Sequence, residues 1–423
     1  MTADSTTNSG FSHALANLLK TMIGSGLLTL PYVTAKAGLG LSVIGLSILA
    51  LLTQAGIQLV VRCVVHERQL AGTTYVDIEG SSRTSGMHGS QSWYLVSNAA
   101  FGRVGWYITC ASLMTAQLGV VSSYVVFVGN NFMAYLGLSA LESRLLLWLL
   151  CSSMCMLRTL RNVAVLSMAA LCVYAYIIFL VGMYGAQALP ARDEPLEWFT
   201  PSKFGSWFGP SLFAFEGMGT ALSIYESMGA ADAKPFYAVV STAYAYSIVV
   251  YSTVAAWGYI CWGSSVSPIV IRSFPATHLG DGAKLMLAIV LLLTYPLQAS
   301  PIFQLIDSTI ASRCPALTNA WPLFRMSVVA LTCVASYVIS DMESMVGLTG
   351  ALAFSVIGFI LPGAFFLQLR PPNLPAATSD ANGTKPAAGS LARETALSWV
   401  LVIVGTVGGI WGVYEELVKV GSQ

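Results

Sequence analysis

Lys20-Thr-Met-Ile23-Gly24-Ser25-Gly26-Leu-Leu-Thr-Leu-Pro31 and Phe213-Ala-Phe215-Glu216-Gly217-Met-Gly219-Thr220 are the two stretches whose reading decides the fold. Each sets glycines and one charge inside a run that is otherwise apolar enough to cross a bilayer. Backbone that leaves the helix within lipid survives only where protein buries it or water reaches it, because each unsatisfied amide or carbonyl costs several kcal/mol there. The two stretches therefore predict two interrupted membrane helices that face a protein interior.

The rest of the chain agrees with a life in lipid. Hydrophobic residues make up 56% of it and charged residues 9%, and the mean hydropathy is +0.71, whereas a soluble domain carries roughly a quarter charged residues. A hydrocarbon core of about 30 Å needs roughly 20 apolar residues in a helix. Apolar runs between polar punctuation predict about eleven spans, near 12-36, 40-65, 103-130, 144-160, 163-186, 205-227, 236-262, 282-307, 322-340, 344-369 and 396-419. The stretches 67-100 and 371-395, rich in Gly, Ser, Thr, Pro and Asn, read as loops.

The interrupted helices are the first and the sixth, so each opens a block of five. An odd repeat length turns the second copy upside down in the membrane, which is the pattern of inverted-topology repeats. The expected fold is all-α and polytopic, two inverted five-helix repeats with helices 1 and 6 broken, of the LeuT-like kind. The expected division is a cytoplasmic tail 1-11, a first repeat 12-186, an outer loop 187-204, a second repeat 205-369, a cytoplasmic linker 370-395 and a last helix in 396-423. Basic residues such as Arg62, Arg68, Arg158, Arg161, Lys385 and Arg393 concentrate in segments that a cytoplasmic N-terminus would place inside. The first apolar segment, with Lys20 and a glycine break in it, reads as a retained span rather than a cleavable signal.

A net charge of +1 gives no reason to expect a nucleic-acid partner. The eight cysteines lie mostly in apolar runs, with no CxxC and no His at zinc-ligand spacing, so they read as packing residues and no metal or cofactor is expected. His13, His66, His88 and His278 are scattered, and no acid, base and nucleophile converge, which argues against an enzyme.

Binding chemistry is expected at the breaks. Amide groups of Gly24, Ser25 and Gly26, beside Ile23, sit where a half-helix begins and its dipole favours an anion such as a carboxylate. Carbonyls freed from Phe215 through Gly217, with Gly219 close by, can face an ammonium. Together they describe a site for a zwitterion. Gly-x-Gly also serves close helix packing, and the matched positions in two repeats tip the reading toward a site. Lys20 and Glu216 are the charges deepest in the expected spans, and such residues are functional hypotheses by default. Lys20 supplies a fixed positive charge; Glu216 pairs with it, orders the unwound sixth helix, or carries a proton. Tyr124, after Ser122 and Ser123, is a candidate to close over a substrate, the other reading being an interfacial or packing tyrosine. Thr294, with Tyr295 and Pro296, is a gate or cation-site group, and Asp307 a solvated end charge.

In their order and spacing these residues resemble the amino acid/auxin permease family, most closely its proton-coupled amino-acid transporter branch. Leu18-Leu19-Lys20 through Gly24-Ser25-Gly26-Leu27-Leu28 to Pro31, then Ala37-Gly38, is similar to that branch's first-helix signature. Phe213-Ala-Phe215-Glu216-Gly217, Glu226-Ser-Met228, Gly258-Tyr259 with Trp262-Gly263, and Thr294-Tyr295-Pro296-Leu297-Gln298 with Pro301 match later stretches. The resemblance covers nearly the whole chain. It implies an eleven-helix body and secondary transport of amino acids, with small neutral ones favoured. It also implies that the first-helix glycines contact a substrate carboxylate and that Tyr124 is the family's third-helix tyrosine.

Two positions depart from the pattern. Asn17 stands where proton-coupled animal members have a histidine, and Lys20 where sodium-coupled relatives tend to have Asn. A fixed ammonium repels Na+, so the expectation is proton coupling, with a sodium-coupled or uncoupled carrier as the alternatives. A transporter-like amino-acid sensor would keep the same site. The resemblance leaves plasma membrane and vacuolar or lysosomal membrane equally open, and oligomeric state unassigned.

Overall fold

The computed structural model describes residues 3–70, 88–156, 163–189, 195–228, 233–313, 320–371 and 388–421, and among them there is no strand. In chain order the helices are α1 (Ala3–Met22), α2 (Leu30–Ala37), α3 (Leu39–Leu70), α4 (His88–Leu136), α5 (Ala140–Cys155), α6 (Val163–Ala188), α7 (Phe204–Ala214), α8 (Met218–Ser227), α9 (Lys234–Trp262), α10 (His278–Arg313), α11 (Trp321–Val338), α12 (Met342–Leu369) and α13 (Ala388–Gly421). Among the described residues eight helices are long and apolar enough to cross a membrane unaided. Three further expected spans have shorter pieces: α1 with α2, α5, and α7 with α8.

The breaks lie where the glycines and the charge predict them. After Met22 the chain leaves the α-helix through Gly24, tightens into a 3₁₀ turn over Ser25–Thr29, and resumes at Leu30 with Pro31 in the first turn. There the missing proline N–H is no loss. The second break, Phe215 to Gly217, separates α7 from α8.

Elsewhere, local chemistry fixes the helix ends. Ser139 and Glu142 form a reciprocal capping box at α5: the Ser139 N–H donates to Glu142 Oε2 at 2.8 Å, and the Glu142 N–H donates to Ser139 Oγ at 3.3 Å. Within α10, Pro301 cannot donate to the carbonyl of Leu297; the Ser300 hydroxyl does so instead, at 2.8 Å. The α2–α3 junction turns at Gly38, with φ +90°, pressed against the backbone of Trp198. There the segment 195–200 pairs with it through Leu39 N–H to Glu197 O and Gly40 N–H to Trp198 O, both 2.9 Å.

Close packing uses small residues. α7 crosses α12 at Gly209 against Gly347 and Gly350, where a Cβ would meet backbone atoms directly. α12 accommodates this contact with π-helical turns over Gly350–Phe354 and Val356–Ile360. The outer faces are apolar at helical spacing: Ile44, Ile48 and Leu51 on α3, and Leu141, Leu145 and Leu149 on α5, are all about half exposed or more. Such stripes suit lipid tails rather than water.

Helices run past several of the expected loop and tail limits. The tail 1-11 is helical from Ala3, the loop 67-100 is helical to Leu70 and again from His88, and the linker 370-395 gives way to α13 at Ala388. Apolar runs mark only the part of a helix that lies in hydrocarbon, whereas backbone hydrogen bonding carries it on through polar turns. The remainder of those loops, 71–87 and 372–387, lies outside the described residues, as does the side chain of Asp307.

Candidate functional site

The two breaks abut. A Cβ on Gly26 would sit 2.7 Å from Ala214 Cα, and one on Gly217 would sit 2.8 Å from Met22 Cγ. Only glycine lets the first break lie against the second. Tyr251 of α9 ties the two together, its hydroxyl lying 2.5 Å from Met22 O and 2.9 Å from Ala214 O. These are the carbonyls at the last residues of α1 and α7, which a helix end leaves without an intrahelical partner. Nothing in the sequence around Tyr251 marks this role, since it arises from a third helix crossing two ends.

Glu216, 6% exposed, lies in the second break and faces the first: a Cβ on Gly24 would be 3.8 Å from its Oε2. Its other oxygen, Oε1, accepts a hydrogen bond from the Gln298 carboxamide, which also donates to Gln117 Oε1 at 3.4 Å. A polar chain thus runs from α4 through α10 to the break. Tyr124 on α4 and Tyr174 on α6, both buried, lie close enough to interact with the Glu216 charge. The Ser25 hydroxyl, 3% exposed, has no hydrogen-bond partner among the described residues. An unsatisfied hydroxyl beside two helix ends is a group with capacity to spare for a ligand. The arrangement can receive an anion at the start of the 3₁₀ turn and a cation at Glu216 and the α7 end.

The expected residues divide. Gly24, Ser25, Gly26, Glu216, Gly217 and Tyr124 come together, with Ile23 half-buried at the rim. Gly219 faces Gln117 and Leu113 at ordinary distance, 3.9 Å for an added Cβ. The ring of Phe215 turns away, stacked on Tyr244 at 5.9 Å and tilted on Tyr251 at 5.2 Å, so only its backbone belongs to the site. Lys20 is half-buried and makes no ion pair among the described residues, so of the three roles offered for Glu216 the pairing with Lys20 is not seen. Asn17 is exposed on α1. The Thr294 hydroxyl is spent on its own helix, donating to Val290 O at 2.8 Å. α10 contributes Gln298 instead, one turn further on, because Thr294 hydroxyls bond backward along a helix while a carboxamide reaches out.

Ion pairs close the body at opposite ends. Where α2 ends, Glu343 of α12 accepts from Lys36, from Lys419 at 2.7 Å and from the Tyr32 hydroxyl at 2.5 Å; Lys419 also reaches Glu416 at 2.6 Å. Where α8 ends, Glu226 meets Arg68 at 3.2 Å and the hydroxyl of Ser92. Arg62 pairs with Glu394 between α3 and α13.

Over residues 7–416 the sequence matches the family described as "Transmembrane amino acid transporter protein", and the chain belongs to that family. It is a multi-pass membrane protein of a transporter family, not an enzyme. Among curated relatives it is similar to "Vacuolar amino acid transporter 5" of Schizosaccharomyces pombe, 25% identical over 84% of each chain. It is also similar to "Amino acid transporter AVT3B" of Arabidopsis thaliana, 22% identical over 96% of this chain and 93% of that one. In three dimensions it resembles MhsT in complex with L-phenylalanine, with a TM-score of 0.59 and 13% identity over 95% of this chain and 98% of that one. That likeness shows the fold, the LeuT-like inverted repeat expected from the two breaks.

Proposed function

We propose that this chain carries small neutral amino acids by proton-coupled symport, through alternating access, in a vacuolar membrane with its N-terminus in the cytoplasm. The observation that carries the reading is the pair of abutting breaks. Gly24 faces the carboxylate of Glu216, and the next residue, buried Ser25, has an unengaged hydroxyl, which gives a small zwitterion complementary ends. The glycines that let the two breaks abut are in keeping with a small substrate. The vacuolar assignment follows the fungal relative, whose name carries that address.

Proton coupling has two supports. Glu216 is a titratable carboxyl group in the break whose neighbours, Gln298, Gln117 and Tyr124, are uncharged. Lys20, on the helix that ends at the first break, is an ammonium that would repel Na+. Gating would proceed by the latches. Opening toward the α2 end requires Glu343 to release Lys36, and opening toward the α8 end requires Glu226 to release Arg68 and Ser92.

The test is uptake of labelled alanine, glycine, proline and leucine into sodium-free liposomes, with and without an imposed proton gradient, using Gly26→Val as the inactive control. Accumulation only with the gradient, lost in the control, is the expected outcome. Folded protein that takes up none of the four would refute the substrate class, and binding without uptake would mark a sensor. In Glu216→Gln the gradient should no longer drive accumulation; unchanged pH dependence would remove Glu216 as the proton carrier.

A further inference from the structure

The elbow of α4 lies outside the site, and of the arm before it only Ser92 takes part in a latch. Its helix bends at Phe101 (φ −135°, ψ 16°) and Gly102, whose φ of +60° is a left-handed value that glycine adopts freely. Before the bend lies an arm with one buried face, Ser92, Trp93, Val96, Ser97 and Ala100, which seats it on the protein. Beyond it begins the membrane-crossing arm.

On the open side of the bend Tyr94, Asn98, Arg103, Trp106 and Tyr107 line a cleft of about 320 Å³. The Tyr94 and Trp106 rings meet edge to face, with centroids 5.1 Å apart, and form one wall. No carboxylate lines the cleft. The polar side chains that do are a guanidinium, an indole N–H, a carboxamide and phenolic hydroxyls, a set dominated by donors. Among the described residues, Arg103, Asn98 and Trp106 direct no hydrogen bond or ion pair to any other group. Trp and Tyr at this level, where a helix enters the membrane, are what the headgroup region favours, and arginine's planar fork fits phosphate.

We propose that the α4 elbow binds the phosphate-bearing headgroup of an anionic phospholipid. Arg103 holds the phosphate, Asn98 and the Trp106 indole N–H donate to headgroup oxygens, and the tryptophan and tyrosine rings lie along the glycerol and upper acyl chain. The arm below the bend, fixed by Trp93 and Val96, sets the distance between the headgroup and the helix. The assignment rests on the membrane disposition of α4 and is independent of the substrate, the coupling ion and the direction of transport.

The test uses the full chain, delipidated in detergent and titrated with phosphatidylinositol or with phosphatidylcholine, with bound lipid counted by native mass spectrometry. Wild type should retain phosphatidylinositol over phosphatidylcholine. Arg103→Gln should lower that retention roughly five-fold or more, the scale expected for one basic residue at an anionic surface. Trp106→Phe, which keeps a ring and loses the N–H, should lower it less, while Arg393→Gln, an exposed charge on α13, should leave it unchanged; thermal unfolding of each variant checks that it is folded. Retention by Arg103→Gln equal to wild type, or an equal loss in Arg393→Gln, would overturn the proposal. So would equal retention of the two lipids, and displacement of the lipid by millimolar inorganic phosphate would reassign the cleft to a soluble anion and overturn it too.

Discussion

Replacing Tyr251 by Phe tests whether a single hydroxyl holds the two breaks together. In the native protein that hydroxyl lies 2.5 Å from Met22 O and 2.9 Å from Ala214 O, both buried and both at helix ends. Its removal leaves a ring of the same shape, still packed on Phe215 at 5.2 Å, so no cavity forms. What is lost is a donor, and a buried carbonyl left unsatisfied costs about 1–3 kcal/mol. If the ligand requires the two ends held together, that energy appears as a roughly 5- to 150-fold weaker dissociation constant. Tyr244→Phe is the matched comparison: its ring also stacks on Phe215, but its hydroxyl has no partner among the described residues. Its removal takes out a buried hydroxyl that pairs with nothing among those residues, so stability should stay unchanged or rise. Thermal unfolding of the purified variants gives the stability order without reference to any substrate, and amino-acid binding gives the affinity. Equal behaviour of the two variants, or a Tyr251→Phe protein as stable as wild type, would refute the assignment of Tyr251 as the tie.

Gly26→Ala should abolish uptake in a protein destabilised by about 1–3 kcal/mol, since its Cβ would lie 2.7 Å from the Ala214 Cα; Gly219→Ala, with 3.9 Å to spare, should retain activity in the same uptake assay. Glu343→Gln weakens the ion pairs to Lys36 and Lys419 together, and a cysteine placed at Thr29 in that variant should react faster with a membrane-impermeant thiol reagent added on the α2 side. Glu142, in the capping box outside the spans, is held below the usual carboxylate range by the hydrogen bond from the Ser139 backbone. A depressed carboxylate contributes stability at neutral pH that disappears as pH falls through its folded value, so Glu142→Gln should lower the unfolding temperature at pH 7 and have no effect in strong acid.

Much of this was legible along the chain, for physical reasons. A run of apolar residues must find lipid, and glycines with a charge inside such a run must break the helix and be covered. The two breaks, their five-helix spacing and the gathering of Gly24, Ser25, Gly26, Glu216 and Gly217 follow from those rules without any contact being known. Tertiary structure alone decided which side chains meet. Tyr251 and Gln298 join the breaks from helices that pass them at distant points of the sequence, while Lys20 does not reach Glu216 and Thr294 turns back on its own carbonyls. The elbow at Gly102 was likewise hidden, because Gly, Ser and Asn in a polar stretch read as loop until the buried face of Trp93 and Val96 gives the arm something to pack against. Local sequence sets where backbone can bend and which residues lipid accepts; the pairing of polar groups in the interior is set by which helices cross, and that is a property of the whole chain.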